Sequence, residues 1–366
     1  MQKTFRQNSR RLFTNASLFF SLMLLLMVVP GCKKPHHEDQ HDLQNFNVVN
    51  LVANDSKYHA ARVDPDFING WGIAFGASGV AWVSSEGTAR SEIWDKAGNQ
   101  LIPAVSIPSP GDKTNGGHPS GQVFNSTTDF KLANGNPARF IFAGLDGIIS
   151  AWNGSTSAVT TVDDSESGAV YSGITIAQNG GANYLYVANF SAKKIDVYDK
   201  DWNEVEKPFR DYDLPSGYGP FNIQNIDGDL YVMYAKVGAG GDEEVGAGNG
   251  YVDIFKPNGL LVKRFATRGT LNAPWGIAKA PGVFWDDVDI KNRILVGNFG
   301  DGRINVFEKN GKYVGQLQKH DGVIQIGGLW GISFAPATAT SVDPGFLYFA
   351  AGPDDEADGL FGYIEK

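Results

Sequence analysis

The chain has 366 residues, a formal net charge of −9, one cysteine and 45 glycines, and 19% of its residues are charged. An acidic balance works against binding to nucleic acid and to anionic lipid surfaces. A single cysteine allows no internal disulfide and no thiolate metal cluster, so the folded part must rely on packing. At the N-terminus Lys3, Arg6, Arg10 and Arg11 precede an apolar run over 18–29, which is the pattern of a secretory signal and is short for a membrane span.

The run ends in VVPGC, and Cys32 sits where a lipoprotein signal carries its acylatable cysteine, although Pro30 departs from the usual small residue two positions before it. The spacing predicts a signal over 1–32, a lipid on Cys32, a polar tether over 33–44 and one globular domain over 45–366. An acyl chain contributes about 0.8 kcal/mol per buried methylene and would hold the domain at a membrane without a transmembrane helix. The expected location is a bacterial cell envelope, outer membrane or cell surface. The protein is expected to be a monomer with no nucleic-acid partner.

Beyond the tether one phrase recurs. WGI opens an apolar run at Trp71, Trp275 and Trp330, and looser copies begin at Ser120, Ser172 and Phe221. Aligned on Gly72, Gly121, Gly173, Asn222, Gly276 and Gly331, the copies are spaced by 49, 52, 49, 54 and 55 residues. Each opening run is followed by a β-branched and aromatic run such as VAWVSS or RILVGNF, then a polar turn, then an alternating run such as IDVYD or INVFE. Apolar residues at every second position indicate half-buried strands, and KNG, PNG and KAG supply the positive φ of hairpin turns.

Six units of about fifty residues, each with four antiparallel strands, predict an all-β fold, a six-bladed β-propeller. The sixth unit stops after its third strand, and NFNVVNLVA over 45–53 is the strand expected to complete it and close the ring. The glycine of each opening strand fits an inner position where backbones crowd the axis.

In this topology the turns entering the first strands and those joining second to third strands share one face, around the channel mouth. That face gathers the candidate ligand-binding residues Asn69, Trp71, His118, Asn189, Asn222, Trp275, Asn298 and Trp330, with Tyr171, Tyr218 and Phe221 beside them. Glu86, Asp146, Asn272, Asp301 and the acidic loop 354–358 join them. Such a mouth suits a sugar-like or cyclic small molecule, a partner protein, or one divalent cation such as calcium. A structural explanation stands beside each residue, because Asn and Asp near Gly serve turns and repeated Trp-Gly serves packing.

Asp354, Glu356, Asp358, Gly359 and Glu365 imitate the spacing of a calcium loop, but GLFGYI is required as a strand. The glycine-rich stretch 237–250 reads as a flexible insertion over the same face. No G-x-S-x-G elbow or phosphate loop accompanies these residues, and His118 is the single histidine at the mouth.

The runs NGWGIAF, PSGQVFN, FIFAGLDGIISAW, GPFNIQNIDGDLYVMYA, LNAPWGIAKAP, LVGNFGDGRINVF and GLWGISF, in this order, resemble a family of uncharacterised secreted bacterial proteins, some of which carry a C-terminal PEP-CTERM sorting tail. The resemblance implies a secreted propeller and brings no activity with it. The blades are more distantly similar to NHL-repeat and gluconolactonase-like six-bladed propellers. The latter resemblance implies a divalent metal at the channel mouth, for which Glu86, Asn222, Asn272 and Asp301 are the candidate ligands, although their local motifs differ from that family's. Two functions follow as expectations, a ligand- or partner-binding propeller and a metal-dependent lactonase or hydrolase.

Overall fold

The computed structural model describes residues 43–285, 290 and 292–366. The signal, Cys32 and the tether as far as 42 lie outside the described residues. Leu43, inside the expected tether, is already buried and packs with Phe46 into the core.

Six sheets surround one axis, and the fold is the expected six-bladed β-propeller. Blade I runs from Gly70–Phe75 to Val105–Ser106, blade II from Pro119–Phe124 to Val159–Asp163, blade IV from Tyr218–Ile226 to Leu261–Thr267, and blade V from Pro274–Lys279 to Tyr313–Gln316. Each of these has four antiparallel strands in simple up-and-down order. Blade III departs from the expected count, with three strands, Tyr171–Asn179, Ala182–Asn189 and Lys194–Tyr198. Blade VI has Leu329–Phe334, Leu347–Ala351 and Leu360–Glu365, and takes its fourth strand, Asn47–Ala53, from the other end of the chain. A fifth short strand, Arg62–Val63, lies parallel to that one, an addition the repeat pattern does not contain.

Both faces of each sheet are covered, and the period-two alternation divides the side chains between them. In blade I, Trp82 points to blade II, where it stacks on Phe140 at 3.8 Å, while Ala81 and Val83 on the opposite face join Tyr348 and Phe361 of blade VI. The same division recurs around the ring, so that one apolar cluster fills each of the six blade interfaces. A seventh lies on the axis. Full burial of each large side chain contributes roughly 1.5–3 kcal/mol.

At the axis the inner strands nearly touch. A Cβ on Gly72 would lie 2.5 Å from the Ser120 carbonyl of blade II, and one on Gly331 would lie 2.5 Å from the Trp71 carbonyl of blade I. Gly121 and Gly276 are equally confined against blades III and VI. The sixth aligned position is Asn222, and it fits because its neighbour is Gly173, whose Cβ would meet Asn222 Oδ1 at 2.1 Å. Asn222 Nδ2 then donates across to the Trp275 carbonyl of blade V at 2.8 Å.

Ring closure rests on antiparallel pairing from Asn47 opposite Glu365 to Ala53 opposite Leu360, with a bulge between Asn50 and Val52. Val52 is 1% exposed and faces the blade I–VI cluster, whereas Val48 is 37% exposed on the same strand. Val52→Asp is therefore expected to cost about 3 kcal/mol or more by placing an unpaired carboxylate in an apolar interface. Val48→Asp is expected to change stability by about 0.5 kcal/mol or less. Urea unfolding of the two variants checks this, and equal midpoints would remove the closing role of the strand.

Candidate functional site

The turns entering the inner strands and those between second and third strands meet on one face, and Asn69 is where three of them are joined. It precedes Gly70 with φ 50°, in the left-handed region that Asn tolerates better than most residues. Its backbone N–H donates to the Asp358 carbonyl of blade VI at 3.0 Å, and its carbonyl accepts from the Glu86 N–H at 3.1 Å. The side-chain Oδ1 accepts from Trp330 Nε1 at 3.1 Å. Nδ2 donates at 3.0 Å both to Glu86 Oε2 and to Glu356 Oε2. Only an amide of this length supplies both roles, since Asp has no donor.

From Glu86 the network runs outward. Glu86 Oε1 lies 2.6 Å from His118 Nδ1, and the His118 side chain is 56% exposed while that of Glu86 is 16% exposed. The chain from blade VI to blade II is thus Glu356, Asn69, Glu86, His118. The Glu86 bond raises the His118 pKa against the opposing effect of burial. Burial pushes the Glu86 carboxyl up, but the hydrogen bonds from His118 and Asn69 together outweigh it and leave its pKa below the ordinary value.

In the other carboxyls on this face burial outweighs such relief. Burial raises the Glu356 pKa, and the charge of Glu86 adds to it. Glu243 is pushed up to about 7, first by burial and then by the charges of Glu356 and Asp242. Asp146 is raised by burial, against the Ile148 N–H and the charge of His118. Four carboxyls, Glu86, Asp146, Glu243 and Glu356, thus share this face with the His118 imidazole.

Glu243 belongs to the insertion 237–250, which is tied down rather than loose. Val237 bridges to Glu243, Lys236 pairs with Glu244 at 2.5 Å, and Gly246 N–H donates to Asn272 Oδ1 at 2.6 Å. Its participation could be suspected only from three acidic residues, Asp242, Glu243 and Glu244, placed in a loop of the right class.

Beneath the network the tryptophans form a plug. Trp71 stacks on Trp330 with ring centroids 3.6 Å apart, Phe299 covers the opposite side of Trp330 at 3.9 Å, and Trp275 meets both tryptophans edge-on. All three tryptophans are 4% exposed or less. Trp275 Nε1 donates to the Ser172 carbonyl at 2.9 Å, whereas Trp71 Nε1 is buried with no hydrogen-bond partner among the described residues. Trp71, Trp275 and Trp330 are the floor under the site and are not exposed walls.

The remaining candidates hold turns and strands. Asn189 Nδ2 donates to Asp196 Oδ2 at 2.8 Å, while Oδ1 accepts from the N–H groups of Val170 and Ala192 and from the Ser191 hydroxyl. Asn298 does the same for blade V, donating to the Thr270 carbonyl at 2.8 Å and to Asp301 Oδ1 at 3.0 Å, and accepting from Asn272 N–H. Of the candidate metal ligands, Asn222, Asn272 and Asp301 each serve the contacts just given, and Glu86 joins His118 and Asn69. Among the described residues no group of three or more His, Cys, Asp or Glu side chains is gathered around one point. The calcium-like spacing disperses too: Glu356 reaches Asn69, Asp358 is held by Asn54, Tyr58 and Lys57, and Glu365 pairs in the sheet.

No family model matches the chain. It is 33% identical over 337 residues to the uncharacterized protein R648 of Acanthamoeba polyphaga mimivirus, a match covering 87% of this chain and 80% of that protein. It is 34% identical over 336 residues to the uncharacterized protein L690 of the same virus, covering 87% of this chain and 85% of the relative. Among solved structures it resembles a virginiamycin B lyase from Staphylococcus aureus, with TM-score 0.51 and 14% identity over 88% of this chain and 99% of the other. A streptogramin B lyase is similar at TM-score 0.50 and 17% identity, covering 87% and 97%. At that identity the likeness concerns the fold alone. These relatives are viral, and nothing in their descriptions supports the bacterial origin or the PEP-CTERM tail that the motif resemblance implied. The chain belongs to the family of the uncharacterized mimivirus proteins R648 and L690.

Proposed function

We propose that this propeller is a binding protein whose channel-mouth face takes a small molecule presenting hydrogen-bond donors or a cationic group, such as an amino sugar. The observation that supports this reading is the network Glu356, Asn69, Glu86, His118, with Glu243 nearby. Carboxyls whose pKa values are raised by burial and by each other gain most from a donor-rich or cationic guest. The buried tryptophan plug holds the network from below through the Trp330 bond to Asn69, and the ring of blades keeps the walls fixed.

The test is a thermal-shift titration with glucosamine, glucono-lactone and calcium as separate probes. Saturable stabilisation by glucosamine, weakened about tenfold or more in Glu356→Gln with the ligand-free melting point unchanged, supports the reading. Stabilisation only by the metal, lost in Asp301→Ala or Asn222→Ala and accompanied by lactone turnover, replaces it with the metal-dependent hydrolase.

The Glu86–His118 pair carries a pH signature. His118, raised, contributes fully below its unfolded value near 6.5 and loses that contribution as pH rises through its folded pKa. Glu86, lowered, contributes above its unfolded value near 4.5 and loses it as pH falls through its folded pKa. The pair is thus charged on both sides across the mildly acidic range. NMR titration is expected to place the His118 midpoint above 6.5, and Glu86→Gln is expected to return it toward 6.5. An unchanged midpoint would show that the pair does not persist in solution.

The N-terminal pattern supports a further element of the reading, a lipid on Cys32 that places the binding face near a membrane. Mass spectrometry of the mature N-terminal peptide is expected to find the acyl groups, and detergent-phase partition is expected to vanish in Cys32→Ser. Recovery of the wild-type chain in the aqueous phase would overturn the anchor.

A further inference from the structure

The turn that carries Glu356 to the mouth is left-handed. Asp354, Asp355 and Glu356 have φ 60°, 50° and 68°, a run of consecutive left-handed residues with no glycine among them. Residues with a Cβ enter that region singly and at a cost, because the Cβ crowds the following carbonyl oxygen. A whole run persists only where its surroundings hold it. Inside the turn, Glu356 N–H donates to the Gly352 carbonyl at 3.2 Å and Ala357 N–H to the Asp354 carbonyl at 3.1 Å.

Two ends tie the turn to the ring. At one, Glu356 Oε2 accepts from Asn69 Nδ2 at 3.0 Å. At the other, Asp358, 7% exposed, is gripped by the segment that follows the closing strand Asn47–Ala53. Its Oδ1 accepts from Asn54 Nδ2 at 2.7 Å, and its Oδ2 accepts from the Tyr58 hydroxyl at 2.7 Å and Lys57 Nζ at 2.6 Å. Asn54 Oδ1 accepts in return from the Gly359 N–H at 3.0 Å. Lys57 and Tyr58 are presented together by the short 3-10 turn Ser56–Tyr58, capped by Asp55.

Asp358 thus faces the ring seam with its carboxylate and the mouth with its carbonyl, which accepts from the Asn69 N–H. Burial pushes the Asp358 carboxyl up, but the bonds from Lys57, Asn54 and Tyr58 outweigh it and hold its pKa at about 2. The carboxylate therefore stays charged across the range in which Glu356 titrates.

We infer that Asp358 is the positioning residue of the mouth: it holds the left-handed turn against the segment 54–58, and Glu356 stays on Asn69 only while that grip is intact. Lys57 and Tyr58 arrive with the closing strand, so the mouth is complete only in the closed ring. The effect on a guest rests on the binding role proposed above, whereas the placing of Glu356 does not.

The test removes two donors and keeps the acceptor, in the double variant Lys57→Met/Tyr58→Phe of the full chain. The Lys57 side chain is 48% exposed and neither substitution adds a charge, so near-native melting is expected. Carbon-13 NMR titration of the Glu356 carboxyl reads its midpoint, which burial and then the Glu86 charge hold above the ordinary 4.5 in the wild type. In the double variant the midpoint is expected to fall toward 4.5, amide exchange over 353–358 to quicken at least about tenfold, and glucosamine binding to weaken at least about tenfold. Adding Asp354→Gly, which accepts the left-handed φ without strain, is expected to move the midpoint back up and slow the exchange again. Neither removed charge explains these directions, since losing a cation raises a carboxyl pKa and losing an anion lowers it. An unchanged midpoint with unchanged exchange overturns the inference, and so does a change that Asp354→Gly fails to reverse. If the wild-type chain binds no glucosamine, the binding role fails, and the midpoint and exchange alone decide the role of Asp358.

Discussion

The molecule is organised by how closely six backbone passes approach one axis. At five of the six equivalent positions a Cβ would collide with a neighbouring blade, so glycine is a steric requirement there. Gly72, Gly121, Gly173, Gly276 and Gly331 set the radius of the ring. Once that radius is set, each interface between blades has a fixed width, and alternating side chains fill it. The one exception depends on the same rule: Asn222 occupies the volume that Gly173 leaves empty and reaches the carbonyl of blade V.

The tight axis also explains why the aromatic residues lie where they do. Trp71, Trp275 and Trp330 precede the small residue near the start of three inner strands, and there they meet as one buried cluster. Trp330 couples this cluster to the polar network, because its indole N–H is received by Asn69. A buried amide that joins an indole and two carboxyls is costly to leave partly satisfied, so the positions of Glu86 and Glu356 are held by the same residue that seals the plug. The mouth is thereby built on rigid packing rather than on loops alone.

The repeat made most of this architecture legible. Equal spacing, period-two alternation and the recurrent glycine are local signals, and together they fixed the number of blades, the order of strands and the closure by 45–53. The departures were illegible because they arise between units. Pro208 and Pro215 could have warned that blade III lacks a strand, but the same region reads as an ordinary loop. Asn189 and Asn298, which recur after the second strand, look like site residues and are turn supports, since a side chain that organises a loop and one that faces a ligand share the same letters. Glu243 joins the mouth through an insertion whose glycines suggest looseness, and contacts such as the hydrogen bond from Gly246 to Asn272 and the bridge from Val237 to Glu243 fix it.

The shared sheet of blade VI has a consequence for how the protein is made. Asn47–Ala53 emerges from the ribosome more than three hundred residues before its partner Leu360–Glu365. At about 5–20 residues per second it waits roughly 15–60 s, with Leu51 and Val52 unshielded. Blades II to V can assemble in order during translation, each on the edge of the last. The ring itself cannot close until Leu360–Glu365 has emerged, which makes an open horseshoe with one apolar strand free the species most in need of protection by a chaperone.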